Sequence, residues 1–228
     1  MDSSRTALLI GQDGLEKLAK KHITIVGIGG VGGMTALMLA RAGIEKLRLI
    51  DFDIVSTSNI NRQAVAFIST VGKPKVDVMQ NIISQINEDA QVEAVKERLS
   101  NDNLERLLAG TDLVVDAIDS VSDKIALIVY CKKHNINIIS AMGAGNRKDI
   151  PIFECVDIFK THDDALAKVV RKRLREEGID NLDVVTSFSK GQKSQGVIGS
   201  ISYYPNMCGC TLAAVVINKI LGGEYEIN

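Results

Sequence analysis

Ile23-Thr-Ile-Val-Gly-Ile-Gly-Gly-Val-Gly32, continued by Asp51-Phe-Asp53 and Ser58-Asn-Ile-Asn-Arg62, is the stretch that decides the fold of this 228-residue chain. The apolar run Ile23, Ile25, Val26 has strand character and breaks at the glycine turn Gly27 to Gly32, after which a helical pattern runs from Val31 to Ala42. A second apolar run, Leu47, Leu49 and Ile50, ends in the two acids Asp51 and Asp53. Strand, glycine turn and helix aim backbone N–H groups and a helix N-terminus at one point, which is where phosphate binds. An acid at the end of the second strand can hold a ribose hydroxyl. Dinucleotide-binding folds share the glycine turn, so the polar string ending in Arg62 carries the distinction. A nicotinamide site has no need of an arginine there, whereas a site for a triphosphate does. The residues point to ATP.

Outward from this unit, helical and strand patterns alternate. Gly14–Lys20 reads as a leading helix, and Pro74 opens an amphipathic helix carrying Val76, Val78, Met79, Ile82, Ile83 and Ile86. Val92–Val95 is a strand, and Asn101–Leu108 a short helix with Asn101 or Asp102 as its cap. Leu113–Asp116 is a buried strand, followed by a helix through Leu127 and Tyr130 and a strand over Ile136–Ser140. Strands separated by helices of this length predict an α/β, Rossmann-like, doubly wound and mostly parallel sheet.

The texture changes after Gly143. A glycine-rich basic connection, Gly143-Ala-Gly-Asn-Arg-Lys148, leads to a strand over Ile152–Ile158 and a strongly basic helix over Ala165–Glu177. Val184–Ser187 is a short strand, Ser187–Gly196 an exposed loop, Val197–Tyr204 another strand, and Pro205 starts a closing helix. The expected organisation is one domain, with a nucleotide-binding core over about residues 1–142 and a C-terminal elaboration over about 143–228.

Composition narrows the function. Hydrophobic residues make up 46% of the chain, enough for a substantial core, and the net charge of −1 confines any nucleic-acid contact to a local basic patch. With no Trp and 4% aromatic residues, base stacking is not the main binding device. The first residues lack the basic and apolar regions of a signal peptide, and no apolar run approaches the roughly 20 residues of a membrane span. Cys131, Cys155, Cys208 and Cys210 form neither a disulfide framework nor a zinc-binding pair, which suits a reducing cytoplasm.

The motifs Gly27–Gly32, Asp51-Phe-Asp53, Ser58-Asn-Ile-Asn-Arg-Gln63, Gly72-Lys-Pro-Lys75 and Asp116-Ala-Ile-Asp119, in this order, resemble the ThiF/HesA/MoeB adenylating family, relatives of the ubiquitin-activating enzymes. Ser4–Gly11, Met142–Asp149 and Ala167–Leu174 are similar to the branch that dehydrates threonylcarbamoyladenosine in tRNA. The resemblance implies ATP-dependent activation of a carboxylate as an acyl adenylate, followed by cyclisation. The alternative it leaves open is adenylation of a ubiquitin-like or sulfur-carrier protein, with a cysteine desulfurase or sulfur carrier as partner.

Carried over residue by residue, the resemblance puts the nucleotide against Gly27, Gly29, Gly30 and Gly32, with Asp51 on the ribose and Ser58, Asn59, Asn61 and Ser120 framing it. Arg62 and Lys75 meet the phosphates, where the transition state gathers charge. Asp119 is the magnesium ligand in preference to Asp116, and Lys124 either reaches phosphate or forms a salt bridge. Arg5 reaches into a partner subunit's site, which requires a homodimer. The tRNA contacts fall on Lys168, Arg171, Lys172 and Arg175 of the basic helix and on Arg147, Lys148, Lys190 and Lys193 beside it. Cys208 lies near a helix start, where a thiol pKa can fall, so it reads either as a nucleophile or as packing.

Overall fold

β-branched and aliphatic residues on both faces of the central strands bury the middle of the sheet, while the edge strands keep exposed or half-buried residues. A computed structural model describes residues 1–192 and 196–223. Its seven strands are β1 (His22–Val26), β2 (Lys46–Ile50), β3 (Gln91–Val95), β4 (Leu113–Asp116), β5 (Asn137–Ala141), β6 (Glu154–Asp157) and β7 (Asp183–Thr186). They lie in the order β3-β2-β1-β4-β5-β7-β6. Every pairing is parallel except that of β6 with β7. The expected doubly wound α/β sheet is therefore present, and the order reverses between β1 and β4, where such sheets bind ligands.

Among the described residues, seven α-helices flank the sheet: α1 (Ser4–Lys20), α2 (Gly30–Ala42), α3 (Lys75–Ser84), α4 (Leu104–Leu108), α5 (Val121–Lys133), α6 (Ala165–Glu176) and α7 (Tyr203–Leu221). Residues of α2, α3 and α7 form one apolar core with β1 and β2, and α4, α5 and α6 form a second on the opposite face. The segment beyond residue 143 is woven into this sheet, since β7 pairs with β5 and α7 packs along α2. The packing of α7 on α2 explains the Cys208-Gly-Cys210 motif. A Cβ on Gly209 would stand 2.5 Å from the Val31 carbonyl oxygen and 2.8 Å from Met34 Cβ, so only glycine lets the helices approach.

Several boundaries differ from the sequence reading. The leading helix starts at Ser4, not Gly14, and bends at Gly11, whose φ of 71° interrupts the helical path. The cap of α4 is Asn103, whose side-chain oxygen accepts from the Ser100 amide at 2.8 Å, rather than Asn101 or Asp102. The strand expected over Ile152–Ile158 is the shorter edge strand β6. No strand forms over Val197–Tyr204: Val197 and Ile198 are exposed and without a ladder, and Tyr203 already belongs to α7. No helix among the described residues is long and apolar enough to cross a membrane.

Candidate active site

The turn after β1 can only be made by glycines. Gly27 has φ of 91°, and a Cβ on Gly32 would sit 1.9 Å from the Gly27 carbonyl oxygen, which locks the start of α2 against the strand end. At this turn opens a cleft of about 260 Å³, lined by Gly27, Gly29, Gly30, Asp51, Arg62, Lys75 and Asp119 among others. Residues separated by more than 90 positions in sequence thus converge at the carboxyl ends of β1, β2 and β4.

Asp51 is fixed by the turn it faces. Its carboxylate accepts from the Ile28 amide at 2.6 Å and from the Asp53 amide at 2.8 Å. Burial pushes its pKa up, against the Asp53 amide, the Lys75 charge and the Ile28 amide. A carboxylate raised above its unfolded value subtracts stability at neutral pH, and the cost is relieved as pH falls through the folded value. That destabilising acid at a ligand cleft is the pattern expected of a binding group.

The cations differ in how they are held. Arg62 donates to the Ser58 carbonyl and to Asn61 Oδ1, both at 2.8 Å, and has no carboxylate partner among the described residues. Lys75, expected as a mobile point charge, is instead buried at 6% exposure and tied to Asp53 at 2.7 Å. Ser58, Asn59, Asn61 and Ser120 do not line the cleft. Ser58 and Asn61 brace Arg62, Asn59 Oδ1 accepts from the Ser56 amide at 3.0 Å, and Ser120 faces Ser122 at 3.1 Å. Gly32 serves packing rather than the cleft wall.

Asp119 is exposed in the cleft and has no ion-pair or hydrogen-bond partner among the described residues. Asp116 is fully buried and bound to Lys124 Nζ at 2.7 Å, so Lys124 forms a salt bridge and does not reach the cleft. Asp123, one helical turn past Asp119, also lines the cleft, but its charge is taken by Arg98 at 3.0 Å. Arg98 in turn stands 5.6 Å over the ring of Phe52. Sequence reasoning missed Phe52, Arg98 and Asp123. The i,i+4 spacing from Asp119 signals Asp123, whereas nothing in the local pattern after β3 signals Arg98. Gln63 ends the motif that begins at Ser58, and its Oε1 is buried on the cleft wall with no partner among the described residues.

Burial favours the neutral thiol at Cys208 and Cys210. Burial pushes the Cys208 thiol up to about 12, in the direction opposite to that expected from its helix position, and raises Cys210 as well. Replacing Cys208 and Cys210 by Ala, singly or together, is expected to keep AMP formation within about threefold of the parent. Loss of a direct chemical participant costs roughly 100-fold or more, so a drop of that size in a folded variant would restore a thioester route.

The basic residues divide into two groups. Arg147, expected on the surface, is buried and ion-paired with Asp164 at 3.7 Å, donating also to the carbonyls of Ser189 and Gly143. Arg171 is half-buried and donates to the Thr161 carbonyl at 2.9 Å. Lys148, Lys168, Lys172, Arg175 and Lys190 are exposed. Lys193 lies outside the described residues. Arg5 is exposed on the first segment of α1 and is absent from the cleft of its own chain.

A family model described as the ThiF family matches residues 3–227. The chain belongs to the ThiF family. It is 45% identical over 177 residues to the tRNA threonylcarbamoyladenosine dehydratase of Bacillus subtilis, covering 77% of this chain and 70% of that one. The Escherichia coli enzyme of the same name is 42% identical over 173 residues, 75% of this chain and 65% of its own. The crystal structure of E. coli tRNA N6-threonylcarbamoyladenosine dehydratase, TcdA, in complex with ATP superposes with a TM-score of 0.90 at 35% identity, covering 96% of this chain and 93% of that one.

Proposed function

We propose that this protein dehydrates threonylcarbamoyladenosine in tRNA in an ATP-dependent cyclisation through an adenylated carboxylate. The observation that carries it is the convergence of the glycine turn, Arg62, Lys75 and an unpartnered Asp119 on one cleft, in a ThiF-family chain whose relatives bear that activity in their names. The substrate carboxylate oxygen attacks the α-phosphorus and pyrophosphate leaves. The neighbouring carbamoyl group then attacks the acyl carbon, loses a proton and expels AMP with the former carboxylate oxygen. The ring closes with net loss of water, and no enzyme nucleophile is consumed.

Arg62 stabilises the charge building on the phosphates. Asp51 takes the ribose. Magnesium fits Asp119, because that ion needs one or two carboxylates and fills its remaining positions with water and phosphate oxygens. The unit is read as a homodimer in the cytoplasm. Residues up to about 142 hold the nucleotide, with Pro205 of α7 on the cleft wall, and the basic face of the later elaboration faces tRNA.

Lys168, Lys172 and Arg175 stand at i, i+4 and i+7 on α6, one exposed stripe without any catalytic motif. This stripe favours a polyanion over the flexible tail of a carrier protein. AMP release from ATP should be triggered by threonylcarbamoyl-modified tRNA and not by a carrier protein ending in Gly-Gly. Lys168→Glu, Lys172→Glu and Arg175→Glu combined should weaken tRNA binding strongly and lower the slope of log affinity against log salt by about one per lost phosphate contact. ATP affinity should stay at the parent value. Unchanged tRNA affinity, with release triggered by the carrier, would move the function to carrier-protein activation.

A further inference from the structure

Lys124 and Asp116 are both 0% exposed, and neither lines the cleft. Removing two charges from water costs several kcal/mol per ion before their attraction offsets it, and an apolar pair of equal volume commonly serves stability as well or better. A buried ion pair on the β4–α5 connection therefore calls for a reason other than stability. Its contacts supply one. Asp116 ends β4, and its other oxygen accepts from the Ile118 amide at 3.1 Å. Lys124 lies in the first turn of α5, its backbone amide donating to the Ser120 carbonyl at 3.0 Å. Its ammonium also donates to the carbonyl of Ala141, the last residue of β5, at 3.1 Å.

These bonds enclose one short loop, Ala117 to Ser120, and tie both its ends to the ends of two adjacent strands. Asp119 sits in that loop and makes no contact of its own that would hold it. The same loop borders the glycine turn, since a Cβ on Gly27 would stand 2.7 Å from the Ala117 carbonyl oxygen. A carboxylate that coordinates a metal with strict geometry needs its backbone fixed by neighbours.

We infer that the buried Lys124–Asp116 pair is a positioning strut that holds the Ala117–Ser120 loop so that Asp119 is set to receive a magnesium–nucleotide complex. Lys124 touches neither nucleotide nor metal and acts through Asp119. The inference rests on the reading of Asp119 as the magnesium ligand, and the test separates the two.

Removing Lys124 alone would leave a buried carboxylate unpaired, so the pair is replaced together as Asp116→Leu with Lys124→Met. A second variant, Asp116→Asn with Lys124→Gln, keeps hydrogen-bonding groups but no charge. ATP affinity is measured by calorimetry with and without magnesium, beside the melting temperature. In either folded variant, affinity without magnesium should remain within about twofold, while the enhancement by magnesium should fall by about tenfold or more, the usual scale for loss of a supporting partner. Asp119→Asn should remove the enhancement, and adding the pair replacement to it should change nothing further, because both act through one group. A folded pair variant with full enhancement, where Asp119→Asn has lost it, overturns the strut alone. Enhancement that survives Asp119→Asn overturns the magnesium reading and the strut with it. A purely structural pair would shift the melting temperature and leave the enhancement intact.

Discussion

Arg62→Ala is expected to lower AMP formation by about 100- to 1,000-fold, the scale for loss of one preorganised group aimed at developing charge. The guanidinium is not a loose surface charge: the Ser58 carbonyl and Asn61 Oδ1 hold one nitrogen at 2.8 Å each. No carboxylate neutralises it, in contrast to Lys75, whose charge is already met by Asp53. Arg62 therefore faces the cleft with its charge unspent, and its removal withdraws the larger share of available positive field. Single-turnover formation of the adenylate, followed with labelled ATP, separates this step from tRNA binding. Arg62→Lys should recover only part of the rate, because an ammonium cannot reproduce the planar fork. Full activity in Arg62→Ala would mean that Lys75 alone carries the phosphate charge. Unaltered melting should accompany the loss, since the residue is half-exposed and its partners are a carbonyl and an amide.

The nucleotide half was legible because its signals are local. Apolar runs of strand length, a glycine turn and an acid at the next strand end are each written within a few residues, and β1, α2 and β2 follow from them. Signals failed where the deciding contact is distant. Arg147 reads as a loop charge until Asp164, 17 residues on, is placed beside it. Cys208 shows the reverse: its apolar helical context favours packing over a nucleophile, and α7 on α2 does bury it and raise its pKa. Val197, Ile198, Ile201 and Tyr203 carry the composition of a strand, yet a strand needs a partner edge. The edge beside β7 is taken by β6, whose own residues are all half-buried and show no alternation. Arg98 entered the cleft unannounced because it lies in the chain after β3 and meets Asp123 of α5, a distance that no periodicity spans.

Mixing two inactive proteins is expected to restore activity if Arg5 completes the site of a partner subunit. Arg5→Ala and Arg62→Ala should each be nearly inactive alone, since an arginine supplied to a transferring phosphate group is worth about 10³ or more in rate. Arg5 is exposed on a helix that also presents Leu8 and Leu9 to solvent at 86% and 87%, and it lies outside its own cleft. A residue so placed is positioned to act on phosphate in another copy. Two-fold symmetry then fixes the arithmetic. In a heterodimer of the two variants, one site carries both defects and the other carries neither. With random exchange about half the dimers are mixed and half of their sites are intact, so recovery should approach about one quarter of the parent activity. Subunit exchange is verified independently with a tagged copy. Exchange without recovery would show that Arg5 acts within its own chain or takes no part, and the homodimeric reading of the site would fall with it.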